Sequence, residues 1–397
     1  MKALILAGGF GNRLKSVVSD VPKPMAPILG KPLLEHQLRH LREYDIKDVI
    51  LSVHYMAAAI KSYFGTGMRW CMNITYSEEE MPLGTAGAIK KAERYIDDTF
   101  LVLNGDTYSK INYTDFLRFH RDKNSEFTMS VTESQDSSQY GSVILDKDRI
   151  TTFAEKTATS NLINSGVYLF NPKIFNIIES EKNVSLEQKI FPELAKAGVL
   201  YGYRYSDYFI DIGRPETYEQ FKRDMLHNLF LTREHKLRDA MEKVNSNEID
   251  LVLVVDQQEK LLGVLTDRSI KQYLLGGGNL EDKLDKAMIA EPIVAHENDQ
   301  QETISSLLLS GINHLPILDD VGHIVDLEFR KEQIKIQNYP IIRGHAPLRI
   351  SFAGGGTDIP YFYEKYGGVV INATIDKYCH ATAVKRADSK IILNSDM

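Results

Sequence analysis

With 397 residues the chain is too long for one ordinary domain, so two or three are expected. A composition of 43% hydrophobic and 25% charged residues is that of a globular protein, and a net charge of −7 argues against non-specific nucleic-acid binding. The two cysteines, Cys71 and Cys379, form neither a disulfide framework nor a zinc pattern and fit a reducing cytoplasm. No apolar run approaches the roughly 20 residues that span a bilayer, and no charged-then-apolar signal segment opens the chain, so membrane insertion is not expected.

The first 30 residues organise the rest. Residues 3–7 are a short apolar run, the pattern of a buried strand. Gly8, Gly9 and Gly11 follow, then Arg13, and Lys23 stands between Pro22 and Pro24. A glycine-rich turn leaving a strand lets backbone N–H groups approach a phosphate with no Cβ in the way. Arg13 offers a planar fork of donors and Lys23 a point charge. A tight strand-to-helix turn with two solvated cations is the plainer alternative; glycines, arginine and Pro-Lys-Pro at one spacing favour the phosphate.

Residues 33–44 carry leucines at helical spacing, 48–53 read as a strand, and 56–64 as a helix. This βαβ alternation predicts a parallel sheet with helices on its faces, and ligands of such sheets bind beyond the carboxyl ends of the strands. Residues 83–87, Leu-Gly-Thr-Ala-Gly, stand before a helix. They fit equally a backbone surface for a flat ring and a helix start capped by Thr85. An apolar strand ending on Asn104-Gly105-Asp106 puts a carboxylate at the ligand edge, where Mg²⁺ beside a triphosphate takes one or two carboxylates. An ordinary turn Asp is the alternative.

Residues 128–170 read mostly as strands, with Tyr140-Gly141 ahead of the one at 142–146 and Glu155-Lys156 ahead of the one at 162–170. A carboxylate accepting hydroxyl protons beside an ammonium suits a phosphorylated sugar, although such a pair is more often a solvated surface pair. Asp211 stands alone in the apolar strand 209–212, which is costly unless it is paired or metal-bound. A helix from 216 onward closes this region near 228.

Gly-Gly-x-Gly-x-Arg-Leu at 8–14 followed by Pro-Lys-Pro resembles the signature of the sugar-1-phosphate nucleotidylyltransferases, and the likeness runs in unbroken motif order to residue 228. Asn12 stands where that family has Thr or Ser. The resemblance implies an α/β, Rossmann-like domain with a mixed, mainly parallel sheet. It implies nucleotide contacts at Leu6, Ala7, Gly8, Gly9, Gly11, Asn12, Gly84 and Thr85. Sugar-phosphate contacts fall on Tyr140, Gly141, Glu155, Lys156, Asn164 and Gly166, and Mg²⁺ on Asp106 and Asp211. Arg13 and Lys23 would be the catalytic cations, at the leaving pyrophosphate and the transferred phosphate. A sugar 1-phosphate oxygen would attack the α-phosphorus of a nucleoside triphosphate in line.

From 229 to 337 the character changes. Residues 249–266 and 312–329 align without gaps, each an apolar run, an Asp, a polar turn and an apolar run, with a helix-like segment before it. This resembles a pair of CBS modules, an α+β arrangement stacked about a pseudo-twofold. Such pairs often bind adenine nucleotides, but the ribose pattern is incomplete here: Thr266 fits and Ser269 replaces its Asp. A structural or dimerising role is therefore favoured over nucleotide sensing, with a homodimer through the pair.

Residues 338–397 carry Pro347 to Phe352 as a strand, then Gly354, Gly355, Gly356 and Asp358, and a second strand at 369–374. They are similar to the opening of the GHMP-type sugar kinases, most closely the heptose 7-phosphate kinases, where Arg349, the glycines and Asp358 would lie near the sugar. That fold's ATP loop is absent, so the expectation is an incomplete kinase segment without kinase activity; a plain β-hairpin extension is the alternative. A heptokinase-like neighbour suggests GTP and D-glycero-D-manno-heptose 1-phosphate as substrates, for surface glycan synthesis. A hexose 1-phosphate with dTTP, UTP or CTP remains open, as does a non-catalytic nucleotide-sugar-binding regulator.

Overall fold

The structure is a computed structural model. It describes residues 1–11, 14, 17–18, 21–134, 136–155, 157, 160–180, 182–247, 249–309 and 312–330, and the backbone of 341–353 and 371–384. Asn12, Arg13, Lys156 and the cluster at 354–358 lie outside these residues. The chain divides into two compact units, Met1–Arg330 and Lys331–Met397.

Strands β1 (Lys2–Leu6), β2 (Pro27–Ile28), β3 (Lys31–Pro32), β4 (Asp48–Val53), β5 (Asn73–Glu78), β6 (Phe100–Asn104) and β7 (Thr107–Ser109) are interleaved with helices α1 (Leu33–Glu43), α2 (Ala57–Phe64) and α3 (Gly84–Lys91). After α4 (Tyr113–Asp122) strands dominate: β8 (Phe127–Glu133), β9 (Gly141–Asp146), β10 (Arg149–Glu155) and β11 (Leu162–Phe170). Helices α5 (Ile174–Ile177) and α6 (Phe191–Lys196), strands β12 (Leu200–Arg204) and β13 (Phe209–Asp211), and helix α7 (Pro215–His227) complete this region.

A 9-stranded sheet in the order β5-β4-β1-β6-β11-β8-β12-β10-β9 forms the spine. Pairing is parallel from β5 through β4 and β1 to β6, and again between β8 and β12; the other neighbours are antiparallel. The sheet is mixed, with more antiparallel pairing than the opening βαβ pattern implies, because several strands from β8 onward meet without the helical crossover that parallel neighbours need. Strand side chains alternate between faces, so each face has its own core. Leu4, Val102, Met129 and Phe170 pack with Ile89 of α3 and Phe191 of α6. Ile5, Leu51, Leu103 and Leu169 pack with Leu38 of α1, Phe64 of α2 and Phe116 of α4.

The next residues form two copies of one pattern. In the first, β14 (Phe230–Thr232) and α8 (Leu237–Asn247) precede β15 (Leu251–Val255), β16 (Leu261–Thr266) and α9 (Asp267–Leu275). In the second, β17 (Ala295–His296) and α10 (Gln301–Leu309) precede β18 (His314–Leu318) and β19 (Ile324–Phe329). Each makes a 3-stranded sheet, its first pair parallel and its second antiparallel. Leu253, Leu318 and Leu327 share a core with Leu29 and Leu226, so the repeats pack on the β2–β3 hairpin and α7. Lys222 Nζ reaches Asp326 at 2.8 Å.

In the second unit, β20 (Ile341–Ala353) pairs antiparallel with β21 (Ile371–Val384), with register irregularities at 347/349 and 351/353. Both strands are longer than the sequence pattern suggests. No helix among the described residues is long and apolar enough to cross a membrane.

Candidate active site

The site is built at the carboxyl end of β1. The Gly105 N–H donates to Leu6 O at 3.0 Å, drawing the turn after β6 against the turn after β1. A Cβ on Gly105 would lie 2.5 Å from that carbonyl, so only glycine fits. Gly11 has φ +60, and a Cβ there would come within 2.9 Å of Lys23 Cβ. The glycine loop thus lies directly on the turn Lys23–Met25, which Pro22 and Pro24 stiffen. Lys23 is buried, and its ammonium sits 2.6 Å from Asp106 Oδ2 and 3.4 Å from Asp211 Oδ1.

The two carboxylates meet through a small ribbon. β13 pairs antiparallel with β7, placing Asp211 opposite Thr107, and the Ile212 N–H donates to Asp106 O at 3.1 Å. The Gly213 N–H donates to Asp211 Oδ1 at 2.6 Å. Burial pushes the Asp211 carboxyl above its ordinary value, the nearby Asp106 charge adds to this, and Lys23 opposes both. Two carboxylates around one cation position match the demand of Mg²⁺, which completes its shell with phosphate oxygens and water. Among the described residues no cluster of three or more His, Cys, Asp or Glu forms a self-sufficient metal cage.

These three residues line a cleft of about 510 Å³. From the nucleotide set, Leu6, Gly8, Gly9, Gly11, Gly84 and Thr85 face it. From the sugar-phosphate set, Tyr140, Gly141, Glu155, Asn164 and Gly166 do so. Ala7 is buried beneath the loop, its N–H bound to Ser52 O. Asn12, Arg13 and Lys156 lie outside the described residues.

Local geometry explains the glycines. Gly84 has φ +71 and a Cβ there would meet Val184 O at 2.5 Å, so the start of α3 is wedged against 182–187. Thr85 does not cap α3: its hydroxyl donates to Glu187 Oε2 at 2.8 Å and accepts from the Leu186 N–H at 2.8 Å. Gly141 lies opposite Glu155 in the β9–β10 pairing, with the Phe153 ring where a Cβ would point. Asn164 Oδ1 accepts from the Gly166 N–H at 2.9 Å, and its amide donates to Tyr168 at 2.8 Å.

Sequence reasoning missed two carboxylates on the cleft wall, Glu79 and Glu187. Glu79 is buried; Oε1 accepts from Ser52 Oγ at 2.8 Å and Oε2 from the Leu83 N–H at 3.0 Å. The sequence carries no signal for it: the alternation of Met72, Ile74 and Tyr76 would place Glu78 inward, whereas the structure buries Ser77 and Glu79 and exposes Glu78.

Residues 2–228 match the nucleotidyl transferase family, and residues 222–276 match the CBS domain. The chain is 39% identical over 226 residues to D-glycero-alpha-D-manno-heptose 1-phosphate guanylyltransferase of Campylobacter jejuni, covering 56% of this chain and 98% of that protein. It is 38% identical over 229 residues to the enzyme of the same name from Aneurinibacillus thermoaerophilus, covering 57% and 99%. Among solved structures, HddC from Yersinia pseudotuberculosis, also known in complex with GMP-PN, superposes with a TM-score of 0.51 at 36% identity, over 56% of this chain and 98% of that one. With more than half its length matched and the cleft in place, the chain belongs to the nucleotidyl transferase family and is an enzyme of nucleotidyl transfer.

Proposed function

We propose that the chain transfers a guanylyl group from GTP to a sugar 1-phosphate, with D-glycero-α-D-manno-heptose 1-phosphate as the preferred acceptor. The observation that carries this is Lys23 held between Asp106 and Asp211, on one cleft with a glycine-loop wall and a Tyr140–Gly166 wall. A phosphate oxygen of the sugar 1-phosphate forms a bond to the α-phosphorus. The bond from that phosphorus to the bridging oxygen breaks, and pyrophosphate leaves with the electron pair. No side-chain nucleophile is needed; positioning and charge neutralisation carry the rate. Mg²⁺, bound by Asp106 and Asp211, would supply further neutralisation of phosphate charge. Lys23 meets the transferred phosphate, Arg13 the pyrophosphate and Lys156 the sugar phosphate, while Glu155 and Asn164 accept or donate to sugar hydroxyls.

Two considerations support guanine and heptose. A carboxylate is acceptor-only, and guanine presents two adjacent donors, N1–H and N2–H₂, that Glu79 can accept. The relatives at 38–39% identity that match over nearly their whole length carry the heptose guanylyltransferase name. Mannose 1-phosphate is the competing acceptor, because a Danio rerio relative named for mannose-1-phosphate guanylyl transfer is 37% identical over 226 residues. A panel of four nucleoside triphosphates against heptose, mannose and glucose 1-phosphates, read as pyrophosphate release, tests the reading. The fastest pair should be GTP with the heptose; preference for a pyrimidine triphosphate would overturn the base assignment.

The remaining organisation follows on the same reading: a catalytic domain over 1–228, a CBS-like pair over 229–337 that dimerises the chain, and a kinase-like start over 338–397. Thr266 supports a structural role for the pair, since its hydroxyl accepts from the Ser269 N–H at 3.1 Å in a capping box and is already engaged. The low cysteine content supports a cytoplasmic enzyme.

A further inference from the structure

Gln37 is a buried amide on α1 that bonds the Asp106 turn and is not among the residues lining the cleft. Its Nε2 donates twice: to Asn104 O at 2.8 Å and to Thr107 O at 2.7 Å. These two carbonyls bracket Gly105 and Asp106, so one side chain closes the turn that presents the carboxylate. Its Oε1 is buried without a hydrogen-bond partner among the described residues, an arrangement that costs stability. The same helix begins one short hairpin after the Lys23 turn, to which the Leu33 N–H ties it through Ala26 O at 3.0 Å. Gln37 therefore links the element that follows the lysine to the turn that carries the carboxylate.

The rest of the turn has little other freedom. Gly105 is pinned to Leu6 O, and Asp106 O accepts from Ile212. Beside the Lys23–Asp106 ion pair, the path from Gln37 along α1 and through the Leu33 N–H to Ala26 O is a second link between the Lys23 turn and the Asp106 turn. An amide is the side chain suited to this. Its two N–H donors diverge from one atom and so reach two carbonyls, whereas Glu has no donor and Asn is one methylene short.

We propose that Gln37 is a positioning residue that sets the Lys23–Asp106 geometry, and through it the affinity of the Asp106–Asp211 pair for the divalent cation. This rests on the guanylyl-transfer reading above. Gln37→Met keeps the volume and removes both donors; Gln37→Asn keeps the donors and shortens the reach. Two readouts are compared with wild type: steady-state pyrophosphate release, and Mn²⁺ binding followed by electron paramagnetic resonance without turnover. For both variants we expect kcat to fall about 10-fold or more and Mn²⁺ to bind about 10-fold more weakly, with the KM for sugar 1-phosphate within about 3-fold of wild type, because the loss of one orienting contact behind a metal ligand is typically 10–100-fold. Leu38→Val, on the same helix but in the core, should lower the melting temperature and leave kcat and Mn²⁺ affinity unchanged. Should Gln37→Met not fold, Gln37→Asn decides alone. Wild-type kcat and Mn²⁺ affinity in a folded Gln37 variant, or the same losses in Leu38→Val, would overturn the proposal. Absence of turnover in the wild type would instead count against the guanylyl-transfer reading, and the Mn²⁺ arm would still decide the role of Gln37.

Discussion

Asp106 and Asp211 share one ammonium but differ in surroundings: the Asp211 side chain is 23% exposed and the Asp106 side chain 41%. The raised Asp211 carboxyl protonates above the ordinary aspartate range, so activity should begin to fall at a higher pH than a free carboxylate would allow. A divalent cation favours the ionised form, so raising Mg²⁺ should move that acid limb to lower pH. An acid limb that ignores Mg²⁺ would assign it to another group. On the proposed base contact, Glu79→Gln would turn one acceptor into a donor, and should cut the preference for GTP over UTP by about 10-fold, the scale of one good bidentate base contact. Competition assays with both triphosphates read it directly. Asp106 and Asp211 stood out in the sequence because a charge in or at the end of an apolar strand needs a reason, and Lys23 because it stands between two prolines after a glycine loop. Glu79 did not, since it sits among three consecutive glutamates just past β5, and the strand's apolar alternation points to Glu78 instead. Thr85 was undecided between cap and ligand wall; its bond to Glu187 depends on a helical turn, Leu186–Ile190, about a hundred residues away.

Helix α1 carries the clearest pH-dependent stability. Burial pushes the His36 imidazole down to about 4 despite its bond to Ile28 O, and burial, aided by Arg121, does the same for His120 on α4. Both stay neutral when folded while the unfolded chain takes up protons near 6.5. Their contribution is therefore complete above pH 6.5 and is lost as pH falls from there toward 4, by at most about 3 kcal/mol each. Urea titrations at several pH values should show this decline, and His36→Gln should flatten part of it; a pH-independent midpoint would contradict it. Gly105→Ala drives a Cβ into the Leu6 carbonyl and should cost about 1–3 kcal/mol. The βαβ alternation of the first hundred residues was legible because local periodicity carries it. The order β11-β8-β12 was not, because those pairings are set by long-range contacts that leave no trace in a single strand's pattern.

Within the unit Met1–Arg330 the two repeats are joined to the catalytic region at the hairpin that follows the Lys23 turn and at α7. A Cβ on Gly30 would stand 2.5 Å from the Phe329 ring, and Gly30 closes the hairpin that follows the Lys23 turn. Phe329 is half-buried, so Phe329→Ala should cost about 2 kcal/mol, less than a full core truncation. It should also lower kcat a few-fold by loosening that hairpin; denaturation and initial rates measured together separate the two effects. The internal repeat was visible from its ungapped alignment, but its docking on Gly30 was not, because shape at a surface hairpin is not written in hydrophobic periodicity.

We propose Lys23 and the two carboxylates as the phosphoryl-transfer centre of a guanylyltransferase. Pyrophosphate release from GTP, Mg²⁺ and D-glycero-α-D-manno-heptose 1-phosphate, measured for wild type, Lys23→Ala and Asp106→Asn in parallel, tests it most directly. The predicted result is turnover by wild type and a loss of about 100-fold or more in each folded variant, the scale of removing one charge-stabilising group. Turnover within a few-fold of wild type in either variant would contradict it.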